Sequence, residues 1–199
     1  MYGRLVMLKG VKDIDAGVEY LKEAALPVLR SQRGYKGVSA AADRSSGLLG
    51  VLSLWETAAD RDASESALAK NRDEVQSQLA SDMTVESLDQ LAGQVGNPPT
   101  PGCALALTRI SIDPGQVPGV VEFFTREVLP EIVSMPGFRS VRNLINPGTG
   151  EGLVSTIWDD EQARDAALEA TQARRADAGS RGVTFGERIL GEVVFIELP

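Results

Sequence analysis

The sequence predicts an α+β chain built from two copies of a β-α-β-β-α-β unit. Three observations predict it. Residues of the second half repeat those of the first at one constant spacing of 103 positions: Leu26-Pro27 returns as Leu129-Pro130, Gly34-Tyr35 as Gly137-Phe138, Trp55-Glu56 as Trp158-Asp159, and Arg61-Asp62-Ala63 as Arg164-Asp165-Ala166. Between the copies lies Gly96-Asn97-Pro98-Pro99-Thr100-Pro101-Gly102, which cannot sit inside a helix or a central strand. Within each copy the apolar pattern switches between strand-like runs and helical steps of three and four. The organisation read from these is a first unit at 1–95, a linker at 96–102 and a second unit at 103–199. Each unit is of a size at which small domains fold.

The elements follow in order. Arg4 to Val11 reads as a strand, and Asp13 is a good helix N-cap. After it Ile14, Val18, Leu21, Ala25 and Val28 place one apolar face on a helix, and Val117, Val121, Phe124, Val128 and Ile132 repeat that face. Pro27 and Pro130 come late in these helices and should kink or end them. Turns at Arg33-Gly34-Tyr35 and Met135-Pro136-Gly137-Phe138 lead into strands near 37–43 and 139–146. Ser45-Ser46-Gly47 and Asn146-Pro147-Gly148-Thr149-Gly150 are hairpin connections to third strands at 48–55 and 152–158. A second helix starts at Thr57-Ala58-Ala59-Asp60, which approximates a capping box, and last strands fall near 84–95 and 187–198. This order is the ferredoxin-like arrangement.

Composition excludes several functions. Of 199 residues, 43% are apolar and 24% charged, so a core can form. The net charge of −8 opposes phosphate backbones, and no nucleic-acid partner is expected. There is no histidine, which removes Ser-His-Asp and Cys-His catalysis, imidazole zinc sites and histidine-ligated haem. Cys103 is the only cysteine, so no internal disulfide forms. No run approaches the roughly 20 apolar residues of a membrane span, and the start lacks a leader pattern. A cytoplasmic chain with no membrane partner is the expectation.

The Pro136-Gly137-Phe138 turn after the first helix, with Thr156-Ile157-Trp158-Asp159-Asp160-Glu161 ending the third strand, resembles the antibiotic-biosynthesis-monooxygenase-like family of the dimeric α/β-barrel group. The resemblance covers nearly the whole chain, twice. It implies two units paired within one chain as an α/β-barrel, an internal pseudodimer that can self-associate further. It also implies apolar clefts between sheet and helices, and cofactor-free oxygenation of aromatic polyketide or quinone-like substrates in some members. Haem-degrading members need a histidine and a first-strand asparagine, both absent here. No cofactor and no metal are expected, since Asp159-Asp160-Glu161 sits where carboxylates complement a helix dipole.

Five residues are candidates for substrate contact. Trp55 and Trp158 match the family tryptophan and either pack as core or line a cleft. Arg109 interrupts an apolar strand and could orient an anionic phenolate or enolate if it points inward. Arg142 and Asn143 are neighbours on a strand, so one of them faces inward, and Asn143 could donate to a substrate oxygen. Because Ser39 and Ala40 stand at the equivalent positions of the first unit, any surviving site is expected in the second, near Trp158. A non-catalytic module for an apolar small molecule, or an assembly protein with filled clefts, are the alternatives. No carboxylate lies in an apolar strand where burial would raise its pKa, so the sequence names no base.

Overall fold

A computed structural model describes residues 1–79 and 82–198. The elements are β1 (Tyr2–Lys9), α1 (Ile14–Tyr20), α2 (Leu26–Ser31), β2 (Tyr35–Asp43), β3 (Leu48–Trp55), α3 (Ala58–Ala63), α4 (Glu65–Leu79) and β4 (Asp82–Val95), then β5 (Ala104–Ile112), α5 (Val117–Phe123), α6 (Leu129–Ser134), β6 (Phe138–Ile145), β7 (Glu151–Trp158), α7 (Glu161–Ala170), α8 (Gln172–Ser180) and β8 (Val183–Glu197). The β-α-β-β-α-β order therefore occurs twice. Within the first unit β1, β3 and β2 hydrogen-bond in that order, and within the second β8, β5, β7, β6 and β4 do. The Pro-rich segment holds neither helix nor strand, only a turn in which Cys103 N donates to Thr100 O (3.1 Å).

The chain forms two compact units: Met1–Ser87 with the segment from Val193, and Leu88–Glu192. In the first, β3 pairs antiparallel with β1 and β2, Trp55 standing opposite Tyr2 and Tyr35. In the second, β7 pairs with β5 and β6, Trp158 standing opposite Ala104 and Phe138. The first strands thus align 102 positions apart (Tyr2 with Ala104), one short of the spacing elsewhere. The extra residue of the second unit is taken up by a 3-10 turn at Pro114–Gln116 before α5.

The two prolines do not end their helices: the helical run continues through Pro27 to Ser31 and through Pro130 to Ser134, with a π turn ahead of each. Pro27 has no N–H to give and crowds the carbonyl four residues back. The ladder opens into a π-helical turn at Leu21–Ala25, where Leu26 N donates to Leu21 O. Phe124–Val128 repeats this ahead of Pro130, with Leu129 N donating to Phe124 O. Gly34 and Gly137 take φ of 71° and 76°, and a Cβ there would lie 2.7 Å and 2.6 Å from the Cβ atoms of Asp60 and Ala163. Only glycine serves both needs. Thr57 caps α3 and Asp160 caps α7, accepting from Asp60 N and Ala163 N. The acidic run at 159–161 therefore works as a helix start, and among the described residues no acidic or sulfur cluster could hold a metal ion. No described helix is long and apolar enough to cross a membrane.

The fourth strands run further than one unit. Asp89–Val95 of β4 pairs with β6 inside the second unit, and Val194 and Phe195 of β8 pack on the first unit's core. A fragment ending at Val95 consequently lacks part of its own core and carries a strand end whose partner is missing. Such a fragment is expected to self-associate in sedimentation velocity; a stable monomer would refute this reading.

Candidate functional site

Each unit covers one sheet face with its helices, and the space left there differs greatly between the two. The second unit encloses a cavity of about 530 Å³, the first only about 80 Å³. The same strand and helix positions line both, so particular substitutions account for the difference. Counting from the partners of the two tryptophans, Arg4 occupies the position of Ala106, and Leu49 that of Gly152. Arg4, 3% exposed, fills the first cleft: Nη1 donates to Ser64 Oγ (2.8 Å), Nη2 to Arg61 O (2.6 Å), and Nη2 lies 2.9 Å from Glu65 Oε2. Removal from water holds its guanidinium below the usual arginine range, with Glu65 opposing that shift. Leu49 presses on Gly17, where a Cβ would come within 2.8 Å of its Cδ2.

The second cavity has apolar walls from Phe123, Phe124, Ile132 and Phe185, with a few polar groups on the sheet floor. One row of the sheet runs Arg188, Thr108, Val154, Asn143 across β8, β5, β7 and β6. Asn143 is 2% exposed, lines the cavity, and its Oδ1 is buried without a hydrogen-bond partner. A buried amide oxygen left unsatisfied costs about 1–3 kcal/mol, so it marks a place for a donor to arrive. Thr108 Oγ1 accepts from Arg188 Nε (3.3 Å), and Thr156 Oγ1 accepts from Trp158 Nε1 (2.9 Å). With an acceptor lone pair used in each, both hydroxyls keep a proton to donate.

The structure brings Asn143 into the cavity and leaves the other candidates outside it. Strand alternation turns Arg109 to the face opposite Thr108 and Ile110, so it cannot orient a ligand there. Arg142 likewise turns away from Asn143; its Nη1 donates to Gln90 Oε1 (2.6 Å), and burial pushes its guanidinium below the usual range. Trp158, 2% exposed, stacks edge-to-face on Phe138 at 5.9 Å and reaches the cavity only through Thr156. Trp55 is its structural twin, wholly buried against Tyr35 at 5.9 Å, with Nε1 donating to Ser53 Oγ (3.1 Å).

Sequence reasoning missed Arg4, Thr108, Thr156, Arg175 and Arg188. An arginine inside the apolar strand Gly3–Leu8 was the available signal for the first. For Thr108 and Thr156, alternation on the strands around Asn143 would have served. Nothing local marks Arg175 or Arg188, since one sits on a polar helix and the other on a half-exposed strand.

Residues 104–178 match the family model described as antibiotic biosynthesis monooxygenase. The uncharacterised proteins Rv2557 and Rv2558 of Mycobacterium tuberculosis (strain ATCC 25618 / H37Rv) are each 28% identical to the chain, over 183 and 179 residues. They are matched over 88% and 87% of this chain and 82% and 76% of their own lengths. Among solved structures, an anthrone oxidase-like protein gives a TM-score of 0.73 at 13% identity, over 99% of this chain and 92% of that one. A candidate monooxygenase of Lactobacillus acidophilus NCFM gives 0.71 at 11%, over 99% and 96%. A monooxygenase-like protein of Listeria innocua gives 0.57 at 13%, over 96% and 94%. At these identities the likeness to the solved structures shows the fold alone.

Proposed function

We propose that the second-unit cavity carries out cofactor-independent oxygenation of a small aromatic or polycyclic substrate, a reading supported by the match of residues 104–178 to the antibiotic biosynthesis monooxygenase model. The observation that carries this reading is the unsatisfied Asn143 Oδ1 inside a roomy, mostly apolar cavity. A volume of about 530 Å³ lies within the range of small-molecule sites. The phenylalanine walls suit flat rings.

The chemistry asks little of the protein. A substrate with an acidic ring CH2 loses a proton, and the carbanion gives electrons to dioxygen and forms a hydroperoxide. Loss of water then leaves a ring carbonyl, so CH2 and O2 become C=O and H2O with no outside reductant. Thr108 and Thr156 supply donors for the developing oxyanion, and Asn143 accepts from a substrate hydroxyl and sets its orientation. The apolar walls keep water from the carbanion. Glu169, exposed on the cavity lining, is the carboxylate placed to take the proton.

A non-catalytic binding module is the second reading, and one observation favours it. Glu169 is the sole carboxylate on the lining, and the chain's three tyrosines, Tyr2, Tyr20 and Tyr35, all belong to the first unit. The two readings separate by oxygen uptake in air with a panel of hydroxyanthrones. Catalysis predicts one O2 consumed per quinone formed with no cofactor added, and a rate about tenfold or more lower in Asn143→Leu. Saturable binding without any oxygen uptake would leave the module reading in place.

A further inference from the structure

Four charged residues line the second-unit cavity: Glu169, Arg174, Arg175 and Arg188. Their surroundings differ. Arg174 is covered by acids, with Nε 2.8 Å from Glu131 Oε2 and Nη1 3.8 Å and 3.6 Å from Glu127 and Asp177. Arg175 lies instead over the Phe185 ring at 4.3 Å, and Arg188 Nε donates to a neutral hydroxyl, Thr108 Oγ1 (3.3 Å). Among the described residues neither has a carboxylate within ion-pair distance, Glu169 included. Burial and then the charge of Arg188 hold Arg175 below the usual arginine range, so the two cations lie within each other's field. In a chain of net charge −8, where most arginines have found an acid, two neighbouring arginines without one are a local exception. Like charges held together favour an anion between them.

Their position relative to Asn143 adds a length. Arg188 and Asn143 lie on the same row of the sheet, three strand spacings apart, or roughly 14 Å between backbones. Side chains from both ends shorten the gap, leaving room for two or three fused rings over Thr108 and Val154. Phe185, under Arg175, continues the aromatic wall to the cationic end.

We propose that the cavity takes an aromatic carboxylate, its carboxylate held by Arg175 and Arg188 and its far ring hydroxyl donating to Asn143. This rests on the reading of the cavity as the ligand site, and it names the chemical class. A ligand held at both ends presents its middle ring to Thr108 and Thr156. A neutral ring system of the same size lacks the anchor.

The test compares anthraquinone-2-carboxylate with its neutral carboxamide by isothermal titration calorimetry on the full chain. The carboxylate is expected to bind about tenfold or more tighter at low salt, as charge-assisted hydrogen bonds are worth more than neutral ones. That advantage should shrink as salt is raised. The double variant Arg175→Met/Arg188→Met should bring the carboxylate down to the carboxamide and leave the carboxamide unchanged. Arg175→Lys/Arg188→Lys should restore part of the difference. Melting curves of both variants establish that they fold. Equal affinity of the two probes for the unaltered protein, with both lost when the cavity is filled, would overturn the anchor while sparing the cavity reading. No binding of either probe would overturn both.

Discussion

Transplanting the plug of the first unit into the second is expected to abolish ligand uptake. The variant is Ala106→Arg with Ala167→Ser and Leu168→Glu, which recreates Arg4, Ser64 and Glu65 at the matching positions. Arg164 is the sequence counterpart of Arg61, whose carbonyl accepts from Arg4. The hydroxyl and the carboxylate that meet Arg4 are then both supplied to the new arginine. The cavity should contract toward the first unit's size, and affinity for an aromatic probe should fall by about a hundredfold or more, because forcing a ring into packed side chains costs about 1–3 kcal/mol or more. Ala106→Arg alone should fold poorly, since it lacks the hydroxyl and the carboxylate. The reverse change, Arg4→Ala, removes the plug and should lower the melting temperature through loss of a buried hydrogen-bonded charge. Calorimetric titration of the folded triple variant decides the matter: undiminished probe affinity would show that ligand enters elsewhere.

The plug also explains what the sequence disclosed and what it hid. Turn glycines and caps act through their own backbone, so Gly34, Thr57 and Asp160 could be read one at a time, whereas the helix runs on through Pro130 to Ser134. Third strands ending at Trp55 and Trp158 were legible because two copies agreed. Small offsets were not. A constant spacing of 103 sets Arg4 against Leu107, a pairing of no interest, whereas the ladder sets it against Ala106. The one-residue difference arises in the 3-10 turn before α5, far from any matched pair. A slip of one also reverses inside and outside on a strand, which is why Arg109 and Arg142 were natural candidates and lie on the wrong face. Arg175 and Arg188 come together only because α8 packs over the end of the sheet. That neighbourhood is tertiary, with no counterpart in spacing or composition.

The two tryptophans separate stability from ligand contact. Both are buried, both stack on an aromatic across the ladder, and both give their N–H to a hydroxyl two residues earlier on the strand. Truncating either to alanine should therefore cost a similar amount, about 3–5 kcal/mol, and lower the melting temperature by roughly 10 °C. Phenylalanine keeps most of the packing and removes only the N–H. At Trp55 the released group is Ser53, which faces a cleft already filled by Arg4 and Leu49, so nothing a ligand touches changes. At Trp158 it is Thr156, whose hydroxyl then turns freely over the open cavity instead of being fixed as a donor toward it. Trp158→Phe is thus expected to weaken a hydroxyl- or carbonyl-bearing aromatic probe by about threefold to tenfold, the value of one neutral hydrogen bond, while Trp55→Phe leaves it unchanged. Paired titrations with matched melting curves check this. An equal or larger loss at Trp55 would mean that the first unit, despite its plug, takes part in binding.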